Sequence, residues 1–383
     1  MNTLWWQLPG PNRFVSRIIQ DLRDGKNVIL CLPEYSPSGL ASAVRSTLGD
    51  SGDWSWNALR ACDEDQTDPA HLLFSRFVPD MSPNTIWNAH TLSKEESFAG
   101  KIIWLDNLTP STWSAWKEFI TDYEPVCRSR SLLDRTLFCV PLIGELALDP
   151  PKEDVCLAHH YWRDAVDRLD MLLFTSSIFQ EKRMPDLQKR VAISIIANIA
   201  LWDPAVGERL VHEDLEKILS PVPILQEVAR ERGWYPEDTN SDSWSWHRGM
   251  KDRIDGEEKI HSAVLAFNDV DSEIERRIWS AEIGVVLPFI EERRQEILGR
   301  LAGLLKVPFK TRFGEVISDL RDLEIGHIES QVIHNGVAVN PKIRRLIHRL
   351  REIRNCLSHL EPLSPELLLC EEINSFVETL RRS

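Results

Sequence analysis

The chain has 383 residues, of which 43% are hydrophobic and 27% are charged, and it carries a net charge of −14. This composition is ordinary for a globular protein, and the absence of repeats and biased tracts excludes a low-complexity chain. No apolar run approaches the roughly 20 residues that span a bilayer, so no membrane association is predicted.

The negative charge is unevenly distributed along the chain. Residues 290–383 contain 15 lysines and arginines against 14 acidic residues, so the surplus of acid lies entirely upstream. An acidic protein is a poor nucleic-acid binder as a whole, but a locally basic segment within it can still bind RNA.

The cysteines predict a reducing compartment. None of the seven forms a CxxC pair, and several lie in apolar runs, which indicates buried free thiols and argues against disulfides or zinc. The N-terminal residues show no basic stretch followed by an apolar one, so no signal peptide is predicted and we expect a cytoplasmic protein. The cysteines are Cys31, Cys62, Cys127, Cys139, Cys156, Cys356 and Cys370.

The first 175 residues alternate between apolar runs and amphipathic segments, which predicts an α/β domain with a mostly parallel sheet. Residues 171–174 could form a fifth strand or begin a helix. The predicted strands are 28–32, 72–78, 102–105 and 137–140, and the predicted helices are 14–22, 39–48 and 113–120.

From about residue 175 the pattern is helical. All 14 tryptophans lie between Trp5 and Trp279, where core packing explains them better than base stacking, and a polar stretch at 236–243 indicates a linker. We therefore predict an α+β multidomain protein with an α/β domain at 1–175, a helical connector at 176–240 and an all-α domain at 241–383. In the last part, long helices are predicted within 254–305, and further helices at 313–323, 325–333, from Pro341 through Leu360 before Pro362, and at 365–380.

The loop after the first strand is Pro33-Glu34-Tyr35-Ser36-Pro37-Ser38-Gly39-Leu40. A phosphate-binding loop has the pattern GxxxxGK[ST], in which backbone amides surround the phosphates and a lysine neutralises them. This loop has one glycine, no lysine and an acid at Glu34. Later in the sequence, a predicted buried strand ends in Asp106. In nucleotide hydrolases, the aspartate that binds magnesium occupies this position. The first domain thus resembles a degenerate P-loop NTPase.

That resemblance implies a weak nucleotide site at Gly39 and Asp106. Asn107 stands where AAA-type ATPases place a catalytic glutamate, so ATP hydrolysis is not expected. An active ATPase would show nucleotide turnover that depends on Asp106. The alternative role of Asp106 is structural, as a strand-end aspartate that caps the next turn.

The strongest chemical signal is Arg354-Asn355-Cys356-Leu357-Ser358-His359, near the end of a basic amphipathic helix. An arginine can bind a phosphate with two parallel hydrogen bonds, and a histidine can transfer a proton near neutral pH. Asn355 and His359 are four residues apart and share a helix face. Arg354 and His359 are separated by roughly 140° around an α-helix, so both can border one cleft. The alternative is a core helix whose basic face is solvated.

Ile353–His359 resembles the signature of the HEPN superfamily, in which an arginine, a polar residue and a later histidine lie on a late helix of an all-α domain. The resemblance covers about the last third of the chain. It implies a metal-independent endoribonuclease without a cofactor, in which His359 is the acid/base, Arg354 holds the scissile phosphate and Asn355 is its polar companion. It also implies a homodimer, because two copies of the motif usually line one cleft. We assign candidate RNA contacts to Arg344, Arg345, Arg349 and Arg351.

Two other histidine pairs are candidates with simpler explanations. His159 and His160, with Asp164 and Asp167 downstream, could ligate a metal, but adjacent histidines point in different directions, so no metal site is predicted. His327 and His334 could line the same cleft as the signature, although Gly336 favours a helix end.

Two functions remain open from the sequence. One, which the HEPN resemblance implies, is a regulated endoribonuclease that acts as a bacterial toxin or phage-defence effector, with a partner or regulator on the N-terminal domain. The other is a non-catalytic dimerising interaction protein with a pseudo-NTPase domain.

Overall fold

The computed structural model describes residues 2–49, 54–61, 68–78, 86–234, 242–333 and 336–374. Five strands form one sheet in the order β2-β3-β4-β1-β5, and every adjacent pair is parallel. Two further hairpins are antiparallel. The strands are β1 Asn27–Leu32, β2 Ser55–Arg60, β3 Lys101–Asp106, β4 Leu137–Ile143, β5 Leu157–Tyr161, β6 Lys251–Ile254, β7 Glu257–Ile260, β8 Phe309–Lys310 and β9 Val316–Ile317.

Helices supply most of the remaining regular structure. They are α1 Asn2–Trp5, α2 Pro9–Arg23, α3 Leu40–Leu48, α4 Pro69–Phe77, α5 Ala89–Lys94, α6 Pro110–Arg128, α7 Arg168–Ile178, α8 Asp186–Ala200, α9 Pro204–Val211, α10 Leu215–Leu219, α11 Val222–Glu231, α12 Asp242–His247, α13 Ser262–Phe267, α14 Asp271–Leu301, α15 Ile325–Ile333, α16 Pro341–Ser358, α17 Pro365–Leu368 and α18 Glu371–Asn374. No helix in the described ranges has the length and apolarity needed to cross a membrane.

The chain forms two compact units. The sheet unit contains residues 1–170, 202–204 and 234–261, and the helical unit contains residues 171–201, 205–233 and 262–383. The mixed α and β architecture is confirmed. The three-part division at 175 and 240 stays a prediction, because contact-based units need not coincide with independently folding domains.

The sheet follows from runs of apolar residues that are buried on both faces. All six residues of β1 are buried, as are the first six of β4. Such continuous burial is typical of parallel sheets, whose faces are covered by the connecting helices. Helix α2 contacts both β1 and β5 within this unit. The predicted strands at 28–32, 102–105 and 137–140 are therefore confirmed.

The predicted strand at 72–78 was wrong. Residues 72–77 belong to helix α4 and Val78 follows it, because the Asp68 carboxylate caps the first turn and Pro69 occupies a position that suits a helix start. The second strand is instead β2, an edge strand with one buried residue. The fifth strand is β5, and 171–174 lies in helix α7, so the helix alternative for that segment is confirmed.

The helical unit is built around α14, which packs against α8 and α16. The Ser194 hydroxyl of α8 donates to the Ala281 carbonyl of α14 at 3.0 Å. The predicted helix at 313–323 was wrong, because Gly314 has a φ of 90° and turns the chain between β8 and β9. Within 254–305 the predicted helices are α13 and α14, although 257–260 at the start of this range forms strand β7. The last predicted helix is divided into α17 and α18, and its residues 375–380 lie outside the described residues.

Candidate active site

Helix α16 carries the HEPN-like signature on its last turn. The helix begins where Asn340 caps it, with its side-chain oxygen accepting from the Lys342 N–H at 2.9 Å, and Pro341 occupies its first turn. A stripe of apolar side chains fixes the buried face. The buried residues are Ile343, Leu346, Ile347, Leu350, Ile353 and Leu357. The predicted amphipathic pattern is confirmed.

The three candidate catalytic side chains lie at the protein surface. Asn355 and His359 are exposed, and the Arg354 side chain is 36% exposed. The guanidinium of Arg354 contacts the Glu324 carboxylate at 2.7 Å, and 54% of the Glu324 side chain faces solvent. An ion pair in this environment contributes little stability, so a competing phosphate could displace the carboxylate.

His359 lies on a bend that is held at both ends by α14. Its backbone N–H still donates to Asn355, and Leu360 then has a φ of 62°, so the chain leaves the helix there. The Trp279 indole donates to the Leu357 carbonyl at 2.7 Å. The Leu363 N–H donates to the Glu282 carboxyl at 2.9 Å. Because both contacts come from one helix, they fix the segment that carries His359.

Glu282 is unusual because it is a fully buried carboxyl, with 0% of the residue exposed. Its second oxygen has no hydrogen-bond partner among the described residues. Burial raises the pKa of Glu282 to about 8, although the Leu363 N–H lowers it. Neither Trp279 nor Glu282 was among the residues that the sequence singled out. The sequence did contain a signal for Glu282, because this acid falls at a position where the helical spacing of α14 otherwise places apolar residues.

The basic face of α16 is largely neutralised by acids from other elements. Arg345 contacts Glu372 at 3.5 Å, and Arg351 contacts the buried carboxylate of Glu329. Arg349 contacts Glu352 at 2.8 Å within α16 itself. Arg344 is exposed, and no ion pair joins it to another described residue. The RNA-binding role of these four arginines stays a prediction.

His327, one of the two histidines that the sequence places near the signature cleft, lies close to the arginine of the signature. The His327 ring accepts the N–H of Glu324 at 3.2 Å, and Glu324 is the partner of Arg354. His334 lies outside the described residues. His327 therefore lies one contact away from Arg354.

The loop after β1 contacts the segment that precedes β6. The Glu34 N–H donates to the His247 carbonyl at 2.7 Å, and its carboxylate contacts Arg248 at 3.7 Å. A Cβ at Gly249 would lie 3.9 Å from the Pro33 side chain. The Glu34 side chain nevertheless stays 46% exposed. A phosphate approaching this loop would therefore meet an accessible acid and a backbone amide that is already bonded.

Gly39 and Asp106 end up in ordinary structural roles. Gly39 has a φ of 90° and precedes helix α3, a conformation that a side chain would strain. The Asp106 carboxylate accepts the Asn107 N–H at 3.0 Å, in a turn where Asn107 has a φ of 58°. Their assignment as nucleotide contacts stays a prediction.

The histidine pair on β5 does not converge on a metal site. The His160 ring contacts the Asp21 carboxylate at 2.8 Å, whereas Asp167 accepts the Asp170 N–H and contacts Arg13. Burial lowers the pKa of His160, as it does for His159. In the part of the chain that the structure describes, no group of three or more His, Cys, Asp or Glu is arranged to hold a metal ion.

Comparisons of the sequence with protein-family models and with curated proteins find no match.

Proposed function

We propose that this chain is a metal-independent endoribonuclease of the HEPN type, with Arg354, Asn355 and His359 as its catalytic residues. The observation that carries the proposal is that all three side chains reach solvent at the end of one helix, on a segment held by α14. A signature that served only to fill a core would be buried there.

The proposed reaction is internal attack by a ribose 2′-OH on the adjacent phosphorus. The new P–O2′ bond forms while the P–O5′ bond breaks, which leaves a 2′,3′-cyclic phosphate and a 5′-OH. A His359 imidazole accepts the 2′-OH proton, and an imidazolium protonates the departing O5′. A positioned acid or base of this kind typically contributes about 10²–10⁴-fold.

Arg354 supplies the electrostatic part of the mechanism. In the free protein its guanidinium contacts Glu324. When RNA binds, the scissile phosphate replaces that carboxylate and the guanidinium offsets the charge that develops in the transition state. Asn355, exposed on the same turn, adds a donor and an acceptor for the phosphate or the ribose.

A homodimer would bring two copies of the signature to one RNA strand, so that one His359 acts as the base and the other as the acid. The sheet unit would then regulate the nuclease as a degenerate P-loop domain. The loop after β1 has no lysine and carries an exposed acid at Glu34, which favours a regulatory role over nucleotide hydrolysis. A toxin or phage-defence effector would need such a restraint, because free nuclease activity damages the cell.

The test compares His359→Ala with His90→Ala, which removes an exposed histidine from the sheet unit. Purified protein is incubated with single-stranded RNA in EDTA, and the cleavage rate is measured. We expect His359→Ala to reduce the rate by at least about 100-fold and His90→Ala to leave it unchanged. Equal cleavage rates for His359→Ala and the wild type would contradict the assignment of His359 as the catalytic acid/base.

The second candidate function is a non-catalytic dimerising protein. The ion pairs of Arg345, Arg349 and Arg351 favour it, because they reduce the charge available for RNA. That protein would form a dimer, yet neither bind nor cleave RNA. Both functions predict a dimer in sedimentation, so the cleavage assay is the measurement that distinguishes them.

A further inference from the structure

The β8–β9 hairpin presents an aromatic side chain to solvent. Phe313, at its tip, is 83% exposed, more than the other large hydrophobic residues that the structure describes. Gly314 follows in a conformation that glycine adopts readily and closes the turn. Single exposed apolar residues occur on many proteins, so the exposure of Phe313 gains meaning only from the groups beside it.

A cation lies against this ring. The Arg312 guanidinium lies 4.8 Å from the centre of the Phe313 ring, and Lys310 is a second exposed cation of the same hairpin. Glu315 is the single acid between β8 and β9 in the sequence. An exposed aromatic ring with an arginine beside it is an arrangement with which proteins stack a base and hold its phosphate.

The base of the hairpin is fixed to helix α15. The buried Gln331 side chain accepts the Lys306 N–H at 2.8 Å and donates to the Lys306 carbonyl at 3.1 Å. The Phe309 ring contacts the His327 ring with centres 5.9 Å apart. Ile317 of β9 is buried. Phe313 is therefore presented from an anchored base.

The same helix leads to the signature arginine. Glu324 immediately precedes α15 and contacts Arg354, and its N–H donates to the His327 ring that Phe309 contacts. Helix α15 has nine residues and is roughly 13 Å long. The Phe309 ring of the hairpin thus contacts His327 in the first turn of α15, and the Arg354 guanidinium contacts Glu324, which immediately precedes that turn.

We propose that the β8–β9 hairpin is a single-stranded RNA contact, in which one base stacks on Phe313 while Arg312 and Lys310 bind the flanking phosphates. The proposal rests on the proposed function, because it assigns to the hairpin a nucleotide of the strand that Arg354 and His359 cleave. Stacking tolerates every base, so the hairpin would set the position of the strand and not its sequence.

The test separates binding from cleavage by using a single-stranded oligonucleotide of about ten nucleotides with 2′-O-methyl riboses. Methylation blocks the attacking hydroxyl, so binding can be measured by fluorescence anisotropy without cleavage. The variants are Phe313→Ala, Phe313→Trp, Arg312→Gln and, as a control, Leu304→Ala, which removes another exposed apolar side chain from the same unit.

We expect Phe313→Ala to weaken binding roughly 5- to 100-fold, and Phe313→Trp to retain it because indole also stacks. Arg312→Gln should weaken binding less and reduce its salt dependence, and Leu304→Ala should bind normally. Unchanged affinity in Phe313→Ala, or no RNA binding by the wild type, would overturn the proposal. So would a Phe313→Ala variant that loses a protein partner and keeps RNA.

A parallel assay with unmodified RNA distinguishes this proposal from the nuclease. If the wild type binds RNA through Phe313 but does not cleave it, the hairpin contact stands and the nuclease fails. If the wild type cleaves RNA and Phe313→Ala binds and cleaves equally well, the nuclease stands and the hairpin contact fails.

Discussion

The carboxyl edge of the sheet and the end of α16 both carry sequence signals for phosphate chemistry, but they differ in what surrounds the charged groups. At the sheet, the accessible group is an acid: the Glu34 side chain is 46% exposed, its N–H is bonded to the His247 carbonyl and its carboxylate contacts Arg248. At α16, Arg354 has a solvent-exposed partner, and Asn355 and His359 face solvent.

We infer that the sign of the accessible charge separates the two regions more than the order of their elements does. A phosphate approaching the loop after β1 would meet an exposed acid and a backbone amide that is already bonded. A phosphate approaching α16 would meet the Arg354 guanidinium, whose ion-pair partner among the described residues is Glu324. Substitutions in α16 should therefore have the largest effects on RNA cleavage. Substitutions of the exposed acids around α16 should have the smallest effects.

The largest expected difference is between Arg354→Ala and Asp106→Ala. The first variant removes the cation that would stabilise the phosphorane-like transition state, so the cleavage rate should fall by about 10²–10³-fold. The second changes a turn at the end of β3 and should cleave normally. Single-turnover rates on one RNA substrate check both. Loss of cleavage in Asp106→Ala with retention in Arg354→Ala would reverse the comparison.

The next effect concerns the buried carboxyl beneath the bend. The pKa of Glu282 is raised to about 8 from an ordinary value of 4.5, so the unfolded chain loses this proton at a lower pH than the folded chain. The stability of the wild type should therefore fall as the pH rises from about 4.5 to 8, and level off above that range.

Glu282→Gln should be free of this decline. Its carbonyl still accepts the Leu363 N–H but cannot ionise, so the variant should exceed the wild type at pH 8 by on the order of a few kcal/mol. Urea unfolding at pH 5, 6, 7 and 8 measures the difference. Glu275→Gln, an exposed change on the same helix, is the control. Parallel pH profiles for Glu282→Gln and the wild type would contradict the assignment.

A smaller effect is expected for Trp279→Phe. The ring is nearly preserved, but the hydrogen bond to the Leu357 carbonyl is lost, which should cost about 1 kcal/mol of stability. If α14 positions His359, the cleavage rate should also fall by about 10-fold while the KM for RNA changes little. Equal kcat for the variant and the wild type would show that Trp279 stabilises the fold but does not position His359.

The smallest effect is expected for Glu324→Gln, which removes the partner of Arg354. Exposed ion pairs are worth about 0–1 kcal/mol, so RNA should bind no more than about five-fold more tightly. Glu361→Gln removes the same charge from another exposed position and is the control. Tighter binding only in Glu324→Gln would support displacement of this carboxylate by phosphate. Weaker binding would contradict it.

The sequence predicted those elements whose signals are local. Asn340, Pro341 and an apolar stripe define α16, and continuous apolar runs define β1, β3 and β4. The predicted helix at 313–323 failed because Gly314 breaks a pattern that otherwise fits helical spacing.

The contacts that decide the two sites are long-range and could not be predicted. Arg354 meets Glu324 and Arg351 meets Glu329, although both acids lie on or beside another helix. The contacts of Glu34 with His247 and Arg248 come from residues more than 200 positions later. Local charge counts therefore overestimated the free positive charge of α16, and the loop sequence alone gave no sign of these contacts.

The most direct test of the central claim is the chemistry of the cut ends. RNA is incubated with the wild type in EDTA, and the fragments are analysed by mass spectrometry. Internal attack of the 2′-OH predicts 2′,3′-cyclic phosphate and 5′-OH ends that disappear in His359→Ala. Fragments with 5′-phosphate ends, or cyclic ends that persist in His359→Ala, would contradict the mechanism.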